Sequence, residues 1–550
     1  MLLRALLATT AVVVGGADLV QAQSNVIAGR DLRLETANTI SRYRRTGTFP
    51  NGVQAIGIRT TCCNPGVGAI PFQAAMQATH GFIHYLVARE SGGRMVQISN
   101  YAWIKHTFGS NNDPGACGAC PTGTTTSFVE PGCSDTYLAS QSVDHFNLGP
   151  PSELDPWLGS WNPICSYFDR GNPEVGVAQQ CDGTRSLTQA QATVLNQQIG
   201  LTMRVHDDDL NVPGAAFSYQ AGYLVPGEAD ALRGDNIGSR AFTATWNAGA
   251  NQWTLADSGG FQTGSILQRW TGATLTSNGN GNDDGRYYVA VKVTGPTNGL
   301  YHYEYAVHNR DNGRGAGSLR IPVCSGARVL NLGFRDVDRN AVTDWSVAVA
   351  GNEIVFQTTA LNPNPLRWNS IYNFWFDSDA APVAGSVAMD QFAFGPGAMI
   401  VTVPTTTPSG VYNQHLGAGC GAPLAPSLFA TGTPDRALLG NATFALQSRQ
   451  NPAGAIGALY LATASGTTPL GGGCTAYTAD VATLLGPVVT TADGSGAATV
   501  PLAIPNDPAL EGVDLDFQWL AVQTGGALLG VFNASNGLRV RVGNLIAGCP

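Results

Sequence analysis

Charge is the scarcest material in this chain. Only 12% of its 550 residues are Asp, Glu, Lys or Arg, against about 25% in an ordinary soluble protein. Lysine is nearly missing, with Lys105 and Lys292 standing beside 27 arginines. The net charge of −9 comes with no basic stripe, and this excludes a nucleic-acid partner. Beyond the N-terminal leader no apolar run approaches the ~20 residues needed to cross a bilayer, which excludes a transmembrane helix. Several catalytic signatures are also missing. There is no Gly-x-Ser-x-Gly elbow, no His-Glu-x-x-His, no glycine-lysine phosphate loop and no dinucleotide fingerprint after a strand. The polar material is Gly, Thr, Asn and Ser, which suits an extracellular β-rich surface.

Cysteine, by contrast, is concentrated. Seven of the eleven lie between Cys62 and Cys181. A short leader precedes them: Met1-Leu2-Leu3-Arg4, an apolar stretch Ala5 to Val14, then Val20-Gln21-Ala22. One positive charge, an apolar core and small residues before a cut form a secretory signal, residues 1–22, cleaved after Ala22. A secreted or cell-surface location follows, and in that oxidising setting the thiols pair as disulfides. Cys165 with Cys181 closes a local loop. Adjacent Cys62 and Cys63 take separate partners. Eleven is odd, so at least one thiol is left over, with Cys324 or Cys549 the expected one. Cys117-x-x-Cys120 followed by Cys133 also has zinc-site spacing, which disulfides outrank in a secreted chain.

Most of the chain alternates short apolar runs with Gly, Pro, Asn and Asp, the strand-and-turn pattern of sandwiches. The fold class is therefore mainly β: tandem Ig-like β-sandwiches stabilised by disulfides, with one short helix. That helix is expected from Ala190 to Ile199, opened by a capping box at Ser186-Leu187-Thr188-Gln189. Residues 24–285 form a disulfide-rich N-terminal domain. Residues 286–403 form an Ig-like sandwich, with Tyr301, Tyr303, Tyr305 and Val307 alternating onto one face. A Pro/Thr-rich linker at 404–411 precedes a C-terminal sandwich at 412–549.

Three resemblances accompany this division. In the Ig-like segment, a Tyr-x-Val-x-Asn strand before a Trp-containing strand resembles surface modules of secreted bacterial proteins. Gly419-Cys420-Gly421, Leu438 to Phe444, Gly473-Cys474, Val500 to Pro505, Gln518-Trp519-Leu520 and Ser535 to Val540 form an ordered set. It resembles a C-terminal β-sandwich module of secreted planctomycete proteins. That resemblance implies a Cys420–Cys474 disulfide, surface retention and no catalysis; Cys549 departs from its pattern. Thr61-Cys62-Cys63-Asn64, Gln77 to His80, Trp103-Ile104-Lys105-His106 and Gly132 to Tyr137 resemble an N-terminal region shared by secreted planctomycete proteins of unassigned function.

Chemistry, if present, centres on a hairpin. Pairing Arg89 with Arg94 across Glu90-Ser91-Gly92-Gly93 puts His80, His84, Trp103 and Lys105 on one face. His106 then points away unless the register slips by one. His80 and His84 could bind Zn²⁺ or Cu²⁺. Alternatively His80 serves as a base, with Lys105, His106 and Asp135 around it. The commoner arrangement for hairpin histidines is an ordinary hydrogen bond or half-burial. Asp336, Asp338, Asn340 and Asp344 space oxygen ligands as Ca²⁺ requires, and Asn280-x-Asn282-x-Asp284-Gly285 imitates an EF-hand opening; polar turns use the same residues. His206-Asp207-Asp208-Asp209 reads as a solvated strand edge or a metal group. Trp157, Trp161, Trp246, Trp253 and Trp270 could form a sugar-stacking platform, though most tryptophans in a β-rich chain are core.

The leading reading is a non-enzymatic structural, adhesion or ligand-binding protein, its partner an extracellular surface component or polysaccharide. Alternatives are a secreted metal-dependent enzyme with a histidine-centred N-terminal site, and a carbohydrate-binding protein. Calcium and zinc are the candidate ions.

Overall fold

Strands build every core. The structure, a computed structural model, describes residues 26–121, 126–171, 180–279, 285–323, 327–350, 353–395, 398–408, 413–421, 424–432, 435–478 and 485–543. The leader, Asn280 to Asp284, Cys324 and Cys549 lie outside the described residues.

The N-terminal region packs two antiparallel sheets face to face. One contains Arg33–Thr46, Val53–Cys63, Cys133–Tyr137 and Asp113–Pro114, with Arg204–His206 also paired to Val53–Cys63. The other runs Leu148–Gly149, Ile104–His106, Phe82–Ser91, Ala216–Leu224, Ile237–Asn247 and Gln252–Thr263. Ile56, Ile58, Ile83, Tyr85, Val87, Tyr219 and Phe242 fill the space between them.

A second core lies between two five-stranded sheets. The first contains Thr274–Gly279, Arg286–Thr297, Leu300–Asn309, Ser370–Ser378 and Val329–Arg335. The second contains Ser346–Ala350, Glu353–Gln357, Ala316–Pro322, Val383–Gln391 and Ile400–Thr407. Tyr303, Tyr305 and Val307 point into this core with Phe356, Phe374 and Val403, as strand alternation requires. The opposite face of the same strand is buried too. Ala290, Ala306 and Ile371 pack on Leu86, Ala88, Met95 and Trp270 of the N-terminal region. Small side chains at 88, 290 and 306 let the two sheets approach closely, so the N-terminal region and the sandwich share an apolar seam.

The Pro/Thr-rich stretch needs a correction. As far as Thr407 it is a strand, hydrogen-bonded to Val383–Gln391 from Val383↔Thr407 to Asp390↔Ile400. It lies at the sheet edge, where Pro404 can forgo its missing donor, and threonine favours the pleat. A third core, with Phe444, Leu446, Phe517, Trp519 and Leu538, holds the C-terminal sandwich.

The helix spans Gln189–Leu195, shorter than expected. Its cap is Thr188 with Gln191 completing the capping box, two residues later than Ser186 and Gln189. Single helical turns also occur at Tyr167–Arg170 and Asp207–Leu210.

Four disulfides are described: Cys63–Cys117, Cys120–Cys133, Cys165–Cys181 and Cys420–Cys474. The sulfurs with zinc-site spacing are thus bound to other sulfurs. Cys62 is a buried thiol with no disulfide, contrary to the expectation that both adjacent cysteines pair. Successive strand residues face opposite sides. Cys63 therefore reaches Cys117 while Cys62 turns into the core beside its cross-strand neighbour Asp135, and burial, with Asp135 nearby, pushes its thiol well above the usual range.

Candidate functional site

The hairpin folds with a register different from the one expected. Its arms pair Ser91↔Arg94 through Ala88↔Gln97, and the next strand re-enters as Phe82↔His106 and Ile83↔Lys105. Crossing from the first pairing to the second changes the parity by one residue. A one-residue slip moves every side chain to the other face. His106 therefore joins His80, and Lys105 leaves for the opposite side.

His80 Nε2 lies 2.8 Å from His106 Nδ1, and His80 Nδ1 lies 3.0 Å from the Gln77 carbonyl. Phe82, Phe108 and Trp161 crowd both rings, with Phe168 against His106. Both histidines are wholly buried. Burial drives His80 down to about 3 and His106 well below the ordinary imidazole range, so both are neutral. His84 sits elsewhere: its Nδ1 is 2.7 Å from Asn369 Oδ1, across the seam in the second sandwich. An added Cβ at Gly222 would collide with the His84 ring, so glycine there makes its room. His80 and His84 thus do not share a ligand point.

Lys105 is buried on the N-terminal core side. Its Nζ donates to the His106 carbonyl at 2.6 Å and lies 4.9 Å from the Tyr137 ring centroid. Burial lowers its amine to about 7. Asp135 is buried and accepts from Asn111 N at 3.0 Å. Burial raises it to about 6. Among the described residues no hydrogen bond or ion pair joins Asp135 to Lys105 or to either histidine. The acid–base group expected around His80 is therefore split: Lys105 faces away from the two histidines, and Asp135 belongs to the other sheet.

The Asp336 loop forms nested polar turns. Asp336 accepts from Asp338 N at 3.0 Å and Asn364 Nδ2 at 2.7 Å; Asp338 accepts from Asn340 N at 2.7 Å; Asn340 accepts from Val342 N at 3.2 Å. Burial, then the Asp338 and Asp344 charges, raise Asp336 to about 7. Among the described residues no three His, Cys, Asp or Glu side chains are grouped to hold a metal ion.

The acidic run after His206 is neither a solvated strand edge nor a metal group. Asp207 opens a helical turn, is wholly buried, and accepts from Trp253 Nε1 and Gly52 N at 2.9 Å each, with Arg45 against it. Asp208 and Asp209 bind arginines from two regions. Arg339 holds both, at 2.6 Å each, and Asp209 also takes Arg89 at 2.9 Å and Arg335 at 3.3 Å. The tryptophans form no exposed platform: Trp161, Trp253 and Trp270 are core, Trp246 stacks on Phe49, and the Arg233 guanidinium lies over the Trp157 ring.

Beside this ion-pair cluster opens a cleft of about 630 Å³ between the N-terminal region and the second sandwich. That volume lies in the range of small-ligand sites, which favour domain junctions. Arg204, Arg335, Arg339 and Arg367 line it, against the carboxylates of Asp209 and Asp338. No pattern in the sequence announced this cleft, because its arginines come from segments more than a hundred residues apart.

Neither a family model nor a curated protein matches the chain. Among solved structures, similarity reaches a major pilin subunit, BcpA, of Bacillus cereus: 9% identity over 59% of this chain and 77% of that one, TM-score 0.16. It also reaches the RrgB pilus protein of Streptococcus pneumoniae: 10% identity, 84% of this chain and 55% of that one, TM-score 0.18. The major pilin SpaD of Corynebacterium diphtheriae gives 11% identity, 58% and 74% coverage, and a TM-score of 0.16. Overlaps this slight carry no argument, and the fold assignment rests on the chain's own strands and cores.

Proposed function

We propose that this is a secreted, non-enzymatic surface protein whose stapled β-domains serve adhesion or ligand binding. One observation carries the reading: His80, His84, Lys105, His106 and Asp135, the catalytic candidates of the N-terminal region, are all buried, whereas the charged lining of the open cleft is chiefly arginine. A working acid–base pair must reach the proton it moves, within about 3 Å or through one water. His80 and His106 are closed off by four aromatic rings, and Lys105 is sealed on the other side of the sheet.

Support for the surface role comes from the same economy of parts. The N-terminal region shares an apolar seam with the second sandwich. That sandwich is joined to the third by Arg320–Asp435 at 2.9 Å and Arg436–Glu353 at 2.9 Å. Among the described residues no helix is long and apolar enough to cross a membrane.

The test is localisation with loss of function in the source cells. Antibody against the chain should label intact cells or their secreted matrix, and deletion of its coding sequence should impair attachment. Labelling only after lysis, or hydrolysis of ester, glycoside or phosphate substrates that disappears in His80→Ala, would sink the proposal.

A further inference from the structure

We infer that the arginine-lined cleft between the N-terminal region and the second sandwich binds a carboxylate-bearing saccharide of the uronate class. The inference rests on the ligand-binding reading above and names the ligand for it.

The argument begins with which polar groups the cleft leaves over. Gln97 Nε2 donates to the Ser99 carbonyl at 3.2 Å, and its Oε1 accepts from Ile371 N at 2.9 Å. Asn100 Oδ1 accepts from Arg204 N at 2.8 Å. Asn364 donates to Asp336 and accepts from the Tyr372 hydroxyl at 2.8 Å. The amides are thus occupied within the protein. Arg335 and Arg339 are held by Asp208 and Asp209, and the latter already serves three guanidiniums. Arg204 and Arg367 line the same space and make no ion pair among the described residues. The Arg367 guanidinium lies 5.7 Å from the Tyr101 ring centroid.

The charged donors left for a ligand are therefore guanidinium N–H groups, with Thr46, Tyr101, Ser370 and His206 adding hydroxyl and imidazole groups to the same lining, in a molecule that carries net negative charge overall. A guanidinium fork matches a carboxylate in two parallel hydrogen bonds, and the ion pairs that hold Arg339 and Arg335 fix those neighbours in place beforehand. Asp338, also on the lining, spends its carboxylate on Asn340 N and the Thr343 hydroxyl. Tyr101, whose ring lies under the Arg367 guanidinium, lines the same space with the hydroxyl-bearing Thr46 and Ser370, and hydroxyls of this kind suit the ring hydroxyls of a pyranose. A uronate brings both features on one rigid ring, so little conformational freedom is lost on binding. A neutral sugar would leave the guanidiniums unmatched.

Calorimetric titration of the mature chain with galacturonate oligomers tests the inference. The same oligomers as methyl esters, and polyglutamate, serve as comparisons. The oligomers should bind; the esters and polyglutamate should bind at least about tenfold more weakly. Affinity should fall as salt screens the charges. The Arg204→Gln/Arg367→Gln variant should lose about tenfold or more with an unchanged melting temperature, since neither side chain joins an ion pair. No binding, equal binding of the methyl esters, equal binding of polyglutamate, or an unaffected variant would each overturn the assignment. Mass spectra of the recovered oligomer separate this outcome from the fate of the broader proposal. Shortened chains would refute the non-enzymatic reading while leaving the site, and intact chains with no binding would refute the site alone.

Discussion

Buried ionisable groups set the behaviour of single residues. His415 is wholly buried in the C-terminal sandwich, and its Nδ1 lies 3.0 Å from the Asn536 amide nitrogen. Burial lowers it to about 4 from the ordinary 6.5. Because the folded value lies below the unfolded one, the unfolded chain takes up the proton first. The stability contributed by neutral His415 is full above about pH 6.5 and lost as pH falls towards 4. Urea unfolding of wild type and His415→Gln across that interval should show the wild type losing about 1.4 kcal/mol per pH unit relative to the variant. Parallel curves would refute the assignment.

Lys105 carries the opposite lesson, a cation placed where water is excluded. Its amine is lowered to about 7, so near neutral pH the core bears part of the cost of a buried charge. Lys105→Met should stabilise the chain by about 1–4 kcal/mol at pH 7. The gain should shrink towards pH 10, where the unfolded chain also loses the proton. A destabilised variant would show that the amine holds the core together. That Lys105 and His106 stand out in a lysine-poor sequence and take opposite faces was legible; which of them joins His80 was not. It depends on the change from Ser91↔Arg94 pairing to Phe82↔His106 pairing, and no local residue pattern encodes that shift.

Individual elements obey local rules more closely. Threonine with glutamine three residues later opens a helix, and Thr188 with Gln191 does so here; Ser186 with Gln189 offers the same spacing, so the sequence left the boundary two residues uncertain. Ile400–Thr407 shows the reverse. Its composition argued for a linker, but edge pairing tolerates proline and rewards threonine. The Cys420–Cys474 bridge, spanning 54 residues, ties the strand Cys474–Thr478 to the bridge made by Cys420 with Ala534. Replacing both cysteines with alanine should cost about 4 kcal/mol by loop-closure entropy. Calorimetry should place that loss in the transition of the C-terminal sandwich. An unchanged transition would mean the packing there is sufficient without the covalent link.

At the scale of the whole molecule the seam decides cooperativity. Trp270 is 2% exposed and donates to the Gly93 carbonyl at 3.0 Å. It packs among residues from both the N-terminal region and the second sandwich. Trp270→Ala should cost about 3–5 kcal/mol and shift the unfolding of both regions together in a calorimetric scan. Separate transitions, with only one moved, would mean the two fold independently. The same seam positions the cleft, since Asp208 and Asp209 on one side hold Arg335 and Arg339 on the other.

Sequence alone settled the β architecture and the concentration of cysteine, because strand alternation and turn chemistry are local and repeat every few residues. Cysteine pairing, strand register and the cleft were settled only by tertiary structure. Which face a side chain takes depends on a partner strand distant in the chain, so Cys62 is buried as a thiol while Cys63 bonds Cys117. Four arginines, numbered from 204 to 367, meet only when two sheets close on their small alanines.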